Sequence, residues 1–599
     1  MAAREEPAIG GAGLELSRRW AWSGLAVVLL AGLGLRLWGV RQGLPYPYNT
    51  DEAQHFVPHA VEMFRKSTLN PHYFANPPAF TYLLHFLFRI WYGSADGAVR
   101  ALALHPEGVY TLARVSVALL GTGSLWLLYA TGARLFGRAV GLLAAAIEAV
   151  AFLPVFYAHL ALNDVPTLFP LTLSLLGSAG VLRKGRRRDY LLAGVGLGLA
   201  CASKYTAGII LLPLLAAAMA RYLNVEADAR AYVVGRRAAI GLVLAGLAAL
   251  LAFLVANPYA VLDYGDFHAE LVHQSTLSSE AQGKLGAPRE GGLLYYLWTL
   301  TWGLGWVPAL AALGGMLAVW RRERWLGMML VPAPLLFLLL MGLEGRYFGR
   351  WLLPIFPILS LLAAFFALRV AETLGTSRRL RLGVAALLVL ALLAQGLVYS
   401  VHSGLVLSRS DTRTLTRAWL VAHVPKGTPI VAEPVSPDEW AREVIPGTAT
   451  VSNPYRWPKY TSLFSRITAA GALEPASSQP RKVGIEDYVR TLAPSLIGYY
   501  ERQGYCWVVS GSTQSGRAFA DRSKIGQQAV PLAIAYYAAL ARQGEVVYRA
   551  SPYTHGRDRV GFDFDWSFDY YPLAYDRPGP EMTVYRLRGG KCGNRAGIS

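Results

Sequence analysis

The stretch YLLAGVGLGLACASKYTAGIILLPLLAAAMA, residues 190–220, is apolar almost from end to end and is interrupted only by SKYT at 203–206. Read as one long helix, it would put the basic loop 221–237 on the opposite side from the cluster RKGRRR at 183–188. Read as two short helices meeting at Lys204, it returns the chain to the side it left. The arginine-rich loops then share one face, as the positive-inside rule asks. The charge pattern selects the two-helix form and places Lys204 at the outer face.

Working outward, the 599 residues are 54% hydrophobic and 16% charged, with a positive mean hydropathy. That is too apolar for an ordinary soluble protein. The apolar residues come in blocks of the length that crosses a hydrocarbon core. Runs near 20–40, 110–131, 139–158, 166–182, 190–203, 206–220, 238–256, 292–319, 326–342, 351–369 and 382–401 predict eleven crossings. The termini are then on opposite sides, the N-terminus cytoplasmic. The first run is long and has no small-residue cleavage pattern, so it is expected to stay as a span. A net charge of +19 raises the question of nucleic acid. Much of it, however, lies in short clusters between apolar runs: RKGRRR, GRR at 235–237, WRRER at 320–324 and SRRLR at 377–381. These are cytoplasmic anchors, and no nucleic-acid partner is expected.

Residues 402–599 have a different texture. They lack a spanning run, and TPIVAE, CWVVSG and EMTVYRL alternate with the helical KIGQQAVPLAIAYYAALARQG. This predicts a C-terminal soluble α/β or α+β domain outside, after a transmembrane domain of 1–401. Cys506 and Cys592 both fall in it, Cys201 alone in a span. No pattern forces a bridge, and two free thiols are the expectation.

The topology gathers a set of polar residues outside. Asp51 and Glu52 follow the first span in GLPYPYNTDEAQHFVPHAVEMFRKS (43–67); Asp164 lies in HLALND, Lys204 in SKYT, and Arg346, Tyr347 and Arg350 in EGRYFGR (344–350). Charges held near a bilayer are functional candidates. Each also has a plain structural reading. Asn49 can cap a helix with Glu52 completing the box, and Asp51 can face the helix dipole. Asn163-Asp164 before Val-Pro is a helix start, and Lys204 can snorkel. Asp51, His55 and His59 share one helical face, and His-x-x-x-His can take a divalent metal, although Pro58 intervenes. The apolar AFTYLLHFLFRIW (79–91) is too short to cross and suits the interface. Glu148, inside a span, has no assigned role. Taken together, an outer acid among outer cations suits displacement of a phosphate from a lipid-anchored donor.

The ordered set NTDEAQHF, NPHYFANPPAFTYLL, HLALNDVPTLF, ASKYTAGIILLP, NPYAVLD and RWLLPIFPILSLLAA resembles the bacterial relatives of protein O-mannosyltransferases and lipid A aminoarabinose transferases. These are GT-C glycosyltransferases that use polyprenyl-phosphate sugars. The resemblance covers about residues 1–400. It implies a polytopic α-helical GT-C fold, with Asp51 as catalytic base and Glu52 completing an Asp-Glu pair. Asp164 matches the acid of the second outer loop, Arg350 heads the R-[YW]-L-L-P-x-x-P segment, and Tyr347 lies where a donor-phosphate contact is expected. The aminoarabinose transferases carry Lys-Pro-Pro where this chain has Asn76-Pro77-Pro78, so Lys204 or Arg346 would take over that lysine's phosphate contact. The expected activity is an inverting membrane glycosyltransferase at the outer face of the plasma membrane. Its donor is a polyprenyl-phosphate sugar and its acceptor a hydroxyl on a glycan, lipid or protein, with a divalent metal as an open question. The alternative is a transporter or flippase of lipid-linked sugars.

Overall fold

The computed structural model describes residues 16–223, 229–279, 291–345, 347–460, 485, 488–520, 530–555, 559–560 and 573–592. All eleven predicted runs contain helix, but they are not alike. Eight helices are long and apolar enough to cross a membrane, or nine if the pair Arg138–Val150 and Phe152–His159, bent by 59°, counts as one. Eleven is therefore not reached by length and apolarity alone. The short members are Leu168–Arg183 and Arg187–Ser203; the chain enters the first from the loop carrying Asp164 and leaves the second at Lys204. At Lys204 the α-helix stops in extended backbone, and a 3₁₀ turn over Tyr205–Ile210 leads into Leu211–Leu223. The break expected at SKYT is there.

Small residues let these helices pack closely. A Cβ on Gly196 would come within 2.4 Å of the Ser174 amide, and one on Gly198 within 2.1 Å of the Ala249 carbonyl. Helix Arg187–Ser203 is thus wedged between two neighbours at backbone distance, as small-residue interfaces allow in membranes. The loop after the first membrane helix folds into Val57–Arg65, Ala79–Trp91 and Ala95–Leu104. In Ala79–Trp91, Phe80, Leu84 and Phe88 are buried while Phe86, Ile90 and Trp91 are exposed, so the helix packs one apolar face on the protein and leaves apolar side chains on its surface, as suits contact with lipid.

The C-terminal part forms a mixed sheet of β1 (Ile430–Ala432), β2 (Lys459–Tyr460), β3 (Trp507–Gly511), β4 (Gly544–Ala550) and β5 (Met582–Leu587). The order is β2-β1-β3-β5-β4. β1 runs parallel to β2 and β3, and β5 antiparallel to β3 and β4. Period-two alternation sorts the side chains: Val431, Val508 and Leu587 join one core with Tyr500, Tyr536 and Leu540. Ile430, Val509 and Val584 join another with Leu420, Trp440 and Trp457. β1, β3 and β5 fall on the three predicted runs; β2 and β4 are new. The helical stretch begins, among described residues, at Pro531 and ends at Gln543. The two free thiols expected here are corrected. Cys506 and Cys592 form a disulfide with Cα atoms 5.1 Å apart, because Cys592 follows the end of β5 and β5 lies beside β3. Cys201 stays free.

Candidate active site

Asn49 opens the segment that carries the acids. Its Oδ1 accepts the Glu52 amide at 3.0 Å, half of the expected box. The Glu52 side chain turns away instead of reaching back. It is fully buried and takes Arg114 Nε and Nη2 at 2.7 Å each, with the Ala161 amide at 2.8 Å. Both oxygens are committed, and Glu52 lies behind the cavity wall, out of reach of an acceptor. Residues Glu52–Phe56 form a π turn that runs into Val57–Arg65. Pro58 follows the π turn inside a continuous helical run over 50–65, so the widened turn falls next to the residue that lacks an N–H.

A cavity of about 820 Å³ opens on this segment, lined by Asp51, Asn76, Asp164, Lys204 and Arg350 among others. Arg350 links the acids: Nη2 donates to Asp51 Oδ2 at 2.7 Å, and Nε stands 3.6 Å from Asp164 Oδ2. Lys204 Nζ pairs with Asp164 Oδ1 from the other side. Arg350 also stacks over Phe348, 4.6 Å from the ring centre. Asn76 donates to the Tyr73 hydroxyl at 2.7 Å. Residues Gly349–Ile355 form a 3₁₀ turn before helix Phe356–Leu374, with Pro354 and Pro357 marking the junction. That junction sets Arg350 at the cavity edge. The sequence-predicted set thus divides. Asp51, Asn76, Asp164, Lys204 and Arg350 converge. Glu52 does not line the cavity, nor does Tyr347, whose ring packs on Tyr295 and Tyr296 at 5.6 and 6.1 Å. Arg346 lies outside the described residues.

His55 and His59 do share a face, but Tyr73 stands between them. Its ring is stacked on His55 at 4.7 Å and on His59 at 4.8 Å, nearly parallel to each. The two imidazoles therefore cannot close on one metal ion. Burial holds both below the ordinary histidine range, and it pushes the Tyr73 phenol up. His55 Nε2 is 3.8 Å from Asp51 Oδ1. Elsewhere among the described residues, His72, Asp263 and Asp266 offer ligand atoms within 4.8 Å of one another, outside the cavity lining.

Sequence reasoning missed two residues. Arg114 holds Glu52 and, through Nη1, the carbonyls of Val40 and Gln42 at 2.8 Å each. A lone arginine inside an apolar helix is itself a flag. Glu270 accepts the Phe74 and Ala75 amides at 2.5 and 2.8 Å and so docks the 73–76 loop on helix Tyr264–Ser279. No local pattern announces that contact.

Residues 76–260 match the family model described as dolichyl-phosphate-mannose-protein mannosyltransferase. No curated protein matches the chain by sequence. Among solved structures, the chain is similar to the Archaeoglobus fulgidus oligosaccharyltransferase in the apo form, at 14% identity over 90% of this chain and 74% of that one, with a TM-score of 0.50. ArnT from Cupriavidus metallidurans, bound to undecaprenyl phosphate, matches at 13% identity over 97% of this chain and 100% of that one, TM-score 0.47. The arabinofuranosyltransferase AftD from Mycobacteria matches at 16% identity over 97% of this chain and 42% of that one, TM-score 0.41. With the family match in its membrane region and the fold it shares with the oligosaccharyltransferase, this multi-pass membrane chain resembles the GT-C glycosyltransferases.

Proposed function

We propose that the chain is an inverting glycosyltransferase whose transmembrane domain, residues 1–401, works at the outer face of the plasma membrane beneath an extracytoplasmic domain, residues 402–599. The observation that carries this reading is the shared cavity wall: Asp51, partly exposed, linked through Arg350 to the Asp164–Lys204 pair. The donor is a polyprenyl-phosphate sugar, its tail in the bilayer. Asp51 takes the proton of an acceptor hydroxyl as that oxygen attacks the anomeric carbon opposite the phosphate. The bond from that carbon to the phosphate oxygen breaks, and the electron pair leaves with the polyprenyl phosphate. Arg350 and Lys204 meet the charge that develops there. In this reading the donor phosphate draws Arg350 away from Asp51, so the base is released only when a donor is present. Glu52 is a positioning residue, held by Arg114. The disulfide between Cys506 and Cys592 supports an outer location for the C-terminal domain, since such bonds persist in oxidising compartments. The acceptor belongs to a glycan, lipid or protein.

The test supplies the purified protein with sugar-labelled polyprenyl-phosphate donors and no nucleotide. Transfer of label to an acceptor hydroxyl with release of polyprenyl phosphate is expected. A requirement for a nucleotide sugar, or movement of intact donor across a vesicle membrane without cleavage, would overturn the proposal.

A further inference from the structure

Tyr46 and Tyr48 belong to the short connection between the first membrane helix and Asp51, yet their side chains pack into the C-terminal domain. Tyr46 is buried in the core that holds Leu420, Trp440 and Trp457. The Tyr48 hydroxyl is hydrogen-bonded to Thr414 Oγ1 at 3.0 Å. The Arg413 guanidinium lies 3.8 Å from the Tyr48 ring centre, and that of Arg417 lies 5.5 Å from the Tyr46 ring. Both arginines are anchored within their own domain. Arg413 donates to Asp411 through Nε at 2.9 Å and Nη2 at 2.8 Å, and to the Val435 carbonyl at 3.2 Å. Arg417 donates to the Trp440 and Arg442 carbonyls at 2.8 and 3.0 Å.

The connection is therefore fixed at two places. Upstream, Arg114 binds the carbonyls of Val40 and Gln42 to the helical bundle. Downstream, the two tyrosines are gripped by the C-terminal domain, and Asn49 then starts the turn that presents Asp51. Cation–π contacts strengthen when the cation is desolvated, as both are here in part. A catalytic group misplaced by about 1 Å can lose about a hundredfold in rate. We propose that the C-terminal domain positions the Asp51 carboxylate, with Arg413 and Arg417 as positioning residues that act through Tyr48 and Tyr46 and touch no substrate. This rests on Asp51 as the base.

The experiment compares full-length wild type, Tyr48→Leu, Tyr48→Phe and Arg413→Met in lipid nanodiscs, by hydrogen exchange and by steady-state kinetics with a polyprenyl-phosphate sugar. Tyr48→Leu and Arg413→Met are expected to raise exchange across residues 49–56. Turnover at saturating donor should fall about ten- to a hundredfold, with the donor KM changed less than about threefold. Tyr48→Phe keeps the ring face and should retain most of the rate. Exchange in β3 and β5 reports whether the domain itself is intact. If Arg413→Met loosens those strands, Tyr48→Leu decides, since it removes none of the domain's internal hydrogen bonds. Unchanged exchange across 49–56 in Tyr48→Leu overturns the proposal, as does raised exchange with unchanged turnover. If wild type moves no sugar from any lipid-phosphate donor while exchange still rises, glycosyl transfer falls and the coupling between domain and segment stands.

Discussion

Asp51 keeps 41% of its side-chain surface and faces the cavity, whereas Glu52, next in the chain, keeps none and is closed around Arg114. Their substitutions should separate accordingly. Asp51→Asn is expected to cut turnover by about two orders of magnitude or more with binding of polyprenyl phosphate and the melting temperature retained. Glu52→Gln leaves Arg114 buried without its counter-charge, a cost of about 3–5 kcal/mol, and should be seen first as a lowered melting temperature. Arg350→Lys keeps the charge and loses the fork that spans Asp51 and Asp164, so binding of polyprenyl phosphate, followed by titration, should weaken about tenfold. Asp51 was legible in the sequence because it is an acid directly beyond an apolar run. The role of Glu52 was not, because its partner lies in another helix and pairing over that separation leaves no local mark.

The helix that carries these acids also carries a pH dependence. Burial favours the neutral forms of His55 and His59 against Tyr73. Their folded-state pKa values lie below the unfolded one, so their contribution is fully present above the ordinary histidine pKa of about 6.5. It is lost as pH falls through the lowered values. Hydrogen exchange across residues 51–65, corrected for its intrinsic pH dependence, should therefore rise below about pH 6.5, and a His55→Asn, His59→Asn variant should lose that rise. The shared face was readable from the spacing; the tyrosine between the imidazoles comes from the loop at 70–76 and was not. Strands show the same division. β1, β3 and β5 announce themselves as apolar runs bounded by turn residues, while the Val546-Val547-Tyr548 run of β4, at the sheet edge, lies between exposed Glu545 and Arg549 and continues directly from helix Pro531–Gln543, which masks it.

For the whole molecule, the break at Lys204 is the feature that the charge pattern made legible; the count of crossings was less so, since helices that end early at a cavity fall short of a full span. Sidedness has a direct check. With Cys506 and Cys592 joined, single cysteines replacing exposed Val451 and Arg188 can be labelled in intact cells with an impermeant maleimide. Label at 451 and none at 188 is expected; the reverse would turn the molecule over. The sheet order β2-β1-β3-β5-β4 places the last described strand, Met582–Leu587, between β3 and β4. A keystone is set after the stones it joins. During synthesis, β1 and β3 leave the ribosome early but must wait, one edge of β3 and all of β4 unpaired, until residue 587 has been made. The part of the chain that packs on Tyr46 and Tyr48 therefore closes only after nearly all of the described chain has been made, and a premature stop anywhere before residue 582 is expected to leave that packing unformed.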